Sequence, residues 1–229
     1  MRWHWIAAFG AMALAAPAEA DIAARFAQAS SPPMVVEVRD NGDSRITVND
    51  GFYLRRDGAA YMILSDSRGT FAARQEDFVT LIRELMGAAP ELQPPGDSQV
   101  SLGRQGEETV GGRRGTRFRL KFVGSANPEE TLDVVISDDP ELAPVGRAMQ
   151  VQLAPLLSAS MTGTPGLYRG LAELMARGTV IRFGFLWELE SVATGPVDAA
   201  GFALPGPPLS GEALRERLGT LEPTEPGTD

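Results

Sequence analysis

A run of short strands punctuated by Asx-Gly turns, from Pro33 to Arg74, constrains this chain more than any other segment. Met34, Val36 and Val38 alternate with Val35, Glu37 and Arg39, the period of two that turns one strand face toward a core. Asn41-Gly42-Asp43 then reverses the chain, and Ile46 and Val48 alternate with Arg45 and Thr47. Asp50-Gly51 leads into Phe52–Arg55, Asp57-Gly58 into Tyr61–Leu64, and Asp66-Ser67-Arg68-Gly69 closes the last hairpin. Such pairs supply the positive φ angles of tight hairpins, so the segment reads as an antiparallel meander.

The period changes at Glu76. Phe78, Leu81, Ile82 and Leu85 fall at i, i+3, i+4 and i+7, one apolar stripe of a helix that Gly87 ends. Pro90 to Gly96 is a proline-rich crossover into a second set of strands. There Phe118, Leu120 and Phe122 alternate with Arg117, Arg119 and Lys121, and Leu132, Val134 and Ile136 with Thr131, Asp133 and Val135. Asp139-Pro140-Glu141 has the composition of a helix start, the helix running to about Ser158. A second helix is expected from Leu167 to Ala176, then one long strand from Thr179 to Val192 and a last strand ending at Pro205. Residues 206–229 are rich in Pro, Gly and Glu and read as a disordered tail with a marginal helix near Leu214–Leu218.

Residues 1–20 have the make-up of a secretory signal peptide. Arg2 precedes an apolar run from Ile6 to Ala16, Pro17 breaks it, and Ala18-Glu19-Ala20 is a small-x-small cleavage triplet. The run is too short to span a bilayer. The reading is therefore a periplasmic protein that starts at Asp21 and is not membrane-spanning after cleavage. Cleavage removes His4, the only histidine, and the chain has no cysteine. A Ser-His-Asp triad and histidine- or cysteine-based metal sites are thereby excluded, and no metal or cofactor is expected. Glu188 and Glu190 share a polar strand face away from the aromatic row, and no SxxK motif precedes Lys121, so an enzyme is not expected. The net charge of −9 argues against nucleic acid as a partner.

Two clusters are candidate sites. Ile181, Phe183, Phe185 and Trp187 project from one strand face and, with Phe118, Leu120 and Phe122, could wall an apolar cavity or simply fill a sheet-to-helix core. Arg117 and Arg119, within a basic run from Arg113 to Lys121, could hold an anionic headgroup or pair with Glu130 and Asp133 on the next strand. The acidic groups Asp40–Asp43 and Asp138-Asp139 read as a turn and a helix cap rather than calcium loops.

The order of elements resembles the outer-membrane lipoprotein carrier (LolA-like) superfamily, and within it exported bacterial proteins bearing a domain of unknown function. The residues that carry the likeness are Gly115–Leu120, the stretch ISDDPELAPVG from Ile136 to Gly146, and Gly201–Pro205. It spans roughly residues 30–205 and implies an unclosed half-barrel, an envelope location and an acyl-chain cavity. The expected fold is α+β, a curved antiparallel sheet with about three helices on its concave side, in a single domain over residues 21–205. Two functions follow: a non-enzymatic periplasmic protein holding a lipid or acyl chain between sheet and helices, or an envelope interaction module with a solid core and a protein partner.

Overall fold

The alternation read in the N-terminal half produces five strands that pair in chain order. They are β2 (Met34–Val38), β3 (Ser44–Val48), β4 (Gly51–Arg56), β5 (Ala59–Asp66) and β6 (Gly69–Arg74), in a computed structural model. The structure describes residues 21–29, 31–49, 51–88, 99–123, 131–160, 170 and 172–219. The leader assigned to residues 1–20 and the residues after Gly219 lie outside these. Gly42 and Gly58 adopt φ of +83° and +80° and Asp57 adopts +51°, the left-handed backbone of the expected turns, whereas Gly51 opens β4 paired with Val48 and the left-handed residue before it is Asn49 at +51°.

The other strands are β1 (Ile22–Ala27), β7 (Gln99–Val110), β8 (Arg113–Val123), β9 (Thr131–Ser137), β10 (Thr179–Phe183) and β11 (Trp187–Thr194). All eleven form one antiparallel sheet in the order β6-β5-β4-β3-β2-β1-β11-β10-β9-β8-β7, open between its β6 and β7 edges. Strand β1 was not foreseen, yet it joins the halves by pairing Phe26 with Met34 on one side and Leu189 on the other.

Helix α1 (Gln75–Ala88) packs on β5 and β6, and α2 (Ala143–Ser160) lies across β1–β4 and β10. Val145, Ala148 and Met149 of α2 close the main core over Ala24, Val36 and Ile46. Gln152, fully buried, donates from Nε2 to Ser44 Oγ (2.6 Å) and anchors the helix to β3. Of the expected apolar stripe on α1, Leu81 is buried but Leu85 is 56% exposed. Residues 172–175, part of the expected second helix, are helical, and Leu174 is buried against Phe118 and Val180.

One C-terminal expectation is corrected. The segment before Pro205 is not a strand: Asp198 accepts from the Ala200 N–H and caps a 3-10 turn at Ala199–Phe202. Phe202 is buried against Leu54, Ile63 and Ala72 on the sheet face opposite α2. The chain then runs along the β6 edge past residue 205. The Leu209 N–H donates to Ala72 O (2.8 Å) along the β6 edge, and α3 (Gly211–Gly219) docks Leu214 against Phe71, Ala73 and Leu81. The helix expected near Leu214–Leu218 is thus present, and a single fully buried leucine and the contacts of Arg215 and Arg217 hold it to the sheet and α1. Arg217 makes a bidentate pair with Asp66 (both 2.8 Å) and sits 4.0 Å above the Phe71 ring, while Arg215 pairs with Glu84 (2.9 Å). Pairing and covering β6 in this way protects a sheet edge that would otherwise present unpaired backbone groups.

Candidate functional site

The strand expected from Thr179 to Val192 is a hairpin. Phe183 ends β10, Gly184, Phe185 and Leu186 form the turn, and Trp187 begins β11. Gly184 takes a left-handed φ of +54° and donates its N–H to Asp133 O (2.8 Å), and the Leu186 N–H donates to Phe183 O (3.0 Å). A Cβ at Gly184 would run into the end of the Leu132 side chain, so both the backbone conformation and the space favour glycine there. A three-residue turn between directly paired residues keeps the parity of the alternation, and this turn holds two apolar residues, so the sequence pattern runs through it without a break.

The hairpin distributes the aromatic row over three environments. A bulge between Val180 and Arg182 places Ile181, fully buried, in the core under α2, with Leu189. Phe118 and Leu120 are buried in the second core cluster with Val134, Ile136 and Leu174. Phe183 and Trp187, directly paired, stack with ring centroids 4.8 Å apart and planes 16° from parallel. Phe185, at the apex, is 76% exposed and Leu186 is 45% exposed. Phe122 lies in β8, but its side chain is outside the described residues.

Beneath the apex is a pocket of about 320 Å³, lined by Phe185, Leu186 and Trp187 together with Gln28, Ala29 and Ser31 after β1 and Asn49 in the β3–β4 turn. Strand topology brings these three connections to one end of the sheet. Two lining residues hold buried polar atoms that lack a hydrogen-bond partner: the indole donor Trp187 Nε1 and the amide acceptor Gln28 Oε1. Each such orphan costs about 1–3 kcal/mol, so native proteins keep few without a reason. The other exposed large hydrophobics among the described residues, Leu85 and Val151, do not border this pocket.

Arg117 and Arg119 lie on the opposite sheet face, alternating with Phe118 and Leu120 along β8. Both are engaged. Arg119 Nε donates to Asp133 Oδ1 (2.8 Å), and Arg117 lies 3.6 Å from Glu108, which it shares with Arg182. The hydrogen bond from Arg119 holds the Asp133 carboxyl below its ordinary range against the opposing effect of burial, with smaller attractions from Arg117 and Arg182. Arg113 pairs with Asp139 and Glu141, and Arg114 with Glu107. Of the two pairing partners expected for the basic run, Asp133 serves, and Glu130 lies outside the described residues. Acyl-chain and headgroup candidates thus sit on different faces of the sheet.

Two larger hollows differ in charge: one of about 370 Å³ against α2 is lined by Arg39, Arg55 and Arg147 with no carboxylate among its described lining residues, and the other is mixed. The cavity of about 690 Å³ between the Asp57-Gly58 turn and α1 sets Arg74 and Arg83 beside Asp57 and Glu76. Among the described residues no group of three or more His, Cys, Asp or Glu side chains is placed to hold a metal ion, and no helix is long and apolar enough to cross a membrane. Sequence reasoning identified Phe183, Phe185 and Trp187 but missed Gln28 and Asn49. Neither residue carries a local signal, since only the sheet order brings them to the hairpin.

No protein-family model and no curated protein matches the chain, so the likeness to lipoprotein carriers rests on the sequence motifs alone. Among solved structures, one titled as the complex of Pseudomonas aeruginosa MucA/MucB is similar at 10% identity and a TM-score of 0.28. The match covers 82% of this chain and 56% of that one, and at this TM-score it carries no argument about fold or function.

Proposed function

We propose that this chain is an exported, non-catalytic interaction protein of the cell envelope that engages a partner protein through the apex of its β10–β11 hairpin. The observation that carries the reading is Phe185, three-quarters exposed beside exposed Leu186 on a turn pinned by backbone hydrogen bonds and an aromatic stack. Adjoining aromatic and aliphatic side chains held rigidly in water form the kind of anchor that a partner's surface covers, with little ordering cost on binding. The hydrogen bonds from the Gly184 N–H to Asp133 O and from the Leu186 N–H to Phe183 O close the turn below these side chains.

Placement of the remaining row speaks against a lipid carrier. Ile181, Leu120 and Leu189 are fully occupied in packing, and the headgroup candidates Arg117 and Arg119 face away from the apolar side and hold carboxylates. The export assignment rests on residues 1–20 and the absence of cysteine.

Native mass spectrometry of the protein isolated from its own cells tests the proposal. The parent is expected to carry a polypeptide that the double variant Phe185→Asp, Leu186→Asp has lost. Complexes of identical composition in both proteins, or a bound lipid in place of a polypeptide, would overturn it.

A further inference from the structure

Most of the described arginines hold a carboxylate; Arg25, Arg45, Arg113, Arg119 and Arg215 do so at 2.6–2.9 Å. Arg55 and Arg147 differ. Among the described residues neither has a carboxylate within ion-pair distance, and both line the cavity of about 370 Å³ against α2. In a chain of net charge −9, two uncommitted guanidiniums at one concave site call for an anion. The cavity borders the start of β3, whereas the hairpin pocket borders the turn at its end, so the two sites are independent.

Strand register shows how the sheet side is built. Val38, Ser44 and Arg55 are directly paired across β2, β3 and β4, and directly paired residues of an antiparallel sheet share a face. That face carries α2, because Gln152 of the helix reaches Ser44 Oγ. The Arg55 guanidinium is anchored at the cavity wall by a single weak bond, from Nη1 to Gly42 O (3.4 Å), which leaves its other N–H groups free to donate. From the helix side, Pro144, Arg147, Ala148 and Val151 fall at i, i+3, i+4 and i+7, one stripe that lines the cavity. Arg147 itself is exposed, and Val151 is 44% exposed. Arg39 adds a third cation, but it is already shared between Asp43 Oδ2 (3.9 Å) and the face of Phe202. Asp43, the acid nearest the wall, is occupied as well: it accepts from the Asp57 N–H and from Asn41 Nδ2, both at 3.0 Å.

The two free forks set the chemistry of the ligand. A carboxylate has two oxygens, which one bidentate guanidinium fills. A phosphate monoester has three terminal oxygens and a charge of about −1.5 to −2 at neutral pH, enough to satisfy two guanidiniums at once. The volume exceeds that of the anion alone, and Pro144 and Val151 give the remaining wall an apolar character. We propose that this cavity binds a phosphate monoester, its terminal oxygens shared between Arg55 and Arg147 and its organic substituent lying against Pro144 and Val151.

Isothermal titration of the full-length protein with phenyl phosphate, in a phosphate-free buffer of low ionic strength, tests this. The expected result is saturable binding of one equivalent that weakens as salt is raised. Arg55→Gln and Arg147→Gln should each weaken it at least about tenfold, the loss of a charge-assisted hydrogen bond. Arg147 is exposed and without a described partner, so Arg147→Gln should melt with the parent and carry the test even if Arg55→Gln is less stable. Arg104→Gln, which removes one positive charge from β7, should bind like the parent. Benzoate, with the same ring but a carboxylate, should bind at least about fivefold more weakly.

Vesicles of phosphatidylcholine containing phosphatidic acid separate the two sources of such a group. Vesicle binding by the parent and not by Arg147→Gln assigns a lipid headgroup, and phenyl phosphate binding without vesicle binding assigns a soluble ester; either supports the site. No binding of phenyl phosphate, equal binding by Arg147→Gln and the parent, an equal loss in Arg104→Gln, or benzoate binding as tightly as phenyl phosphate would overturn the proposal.

Discussion

Truncating Leu214 asks how firmly the C-terminal segment belongs to the fold. Leu214 is 0% exposed and meets Phe71 and Ala73 of β6 and Leu81 of α1. Leu214→Ala removes three carbons from this contact, a transfer loss of about 2.4 kcal/mol at ~0.8 kcal/mol per buried methylene. A cavity penalty would normally be added, but α3 is the last described helix and can settle toward β6, which keeps the expected total near about 2–3 kcal/mol. The loss has a ceiling, because once α3 undocks, further damage to its interface no longer registers in the global transition. Urea unfolding followed by circular dichroism should show a lower midpoint, and amide exchange across residues 211–219 should accelerate before that of β2 and β3. If the variant unfolds with the parent's midpoint, and residues 211–219 exchange as a random coil in the parent, the docked helix is refuted.

Further predictions follow from the turns, the strap and the core. Gly58→Val places a β-branched side chain at φ +80° with open space around it, so strain alone should cost at least about 1 kcal/mol in urea melts. Gly184→Ala meets both a left-handed φ and the Leu132 side chain and should cost about 2 kcal/mol or more, with a changed Trp187 emission. The Arg217 hydrogen bonds hold the Asp66 carboxyl well below the ordinary carboxylate range, so the folded state binds that proton less readily than the unfolded chain. Its contribution is therefore complete above about pH 4 and is lost as pH falls below that value. Asp66→Asn should lower stability at neutral pH and flatten the acid limb of a stability-against-pH curve, and an unchanged limb would contradict the pairing. Brominated fatty acids should not quench Trp187 saturably, whereas saturable quenching would restore the lipid-cavity reading.

The meander was legible because its turns are written in Asn-Gly and Asp-Gly pairs and its strands in strict alternation. Phe52–Arg55 and Tyr61–Leu64 fall where their spacing places them, within β4 and β5. The β10–β11 turn was hidden because its residues are apolar and its length preserves the parity of Phe183 and Trp187, so the same pattern serves one strand or two. Strand β1 begins directly after the segment read as a leader, where Ala23 and Ala24 blur an alternation that tertiary pairing with β2 and β11 makes plain. The docking of α3 depends on one leucine and on arginines whose partners, Asp66 and Glu84, lie more than a hundred residues away in sequence. No local pattern encodes such contacts. At the candidate site the aromatic residues were visible, but Gln28 and Asn49 join them only through the strand order.

The central claim, that the hairpin apex is the surface that meets a partner, is tested most directly by photo-crosslinking in the native cell. Phe185, exposed at the turn, is replaced by p-benzoylphenylalanine, and Leu85, exposed on α1, serves as the control position. The account predicts a discrete adduct of higher mass from position 185 that is absent from position 85 and lost when Leu186→Asp is added. No adduct from position 185, or the same adduct from both positions, would contradict it.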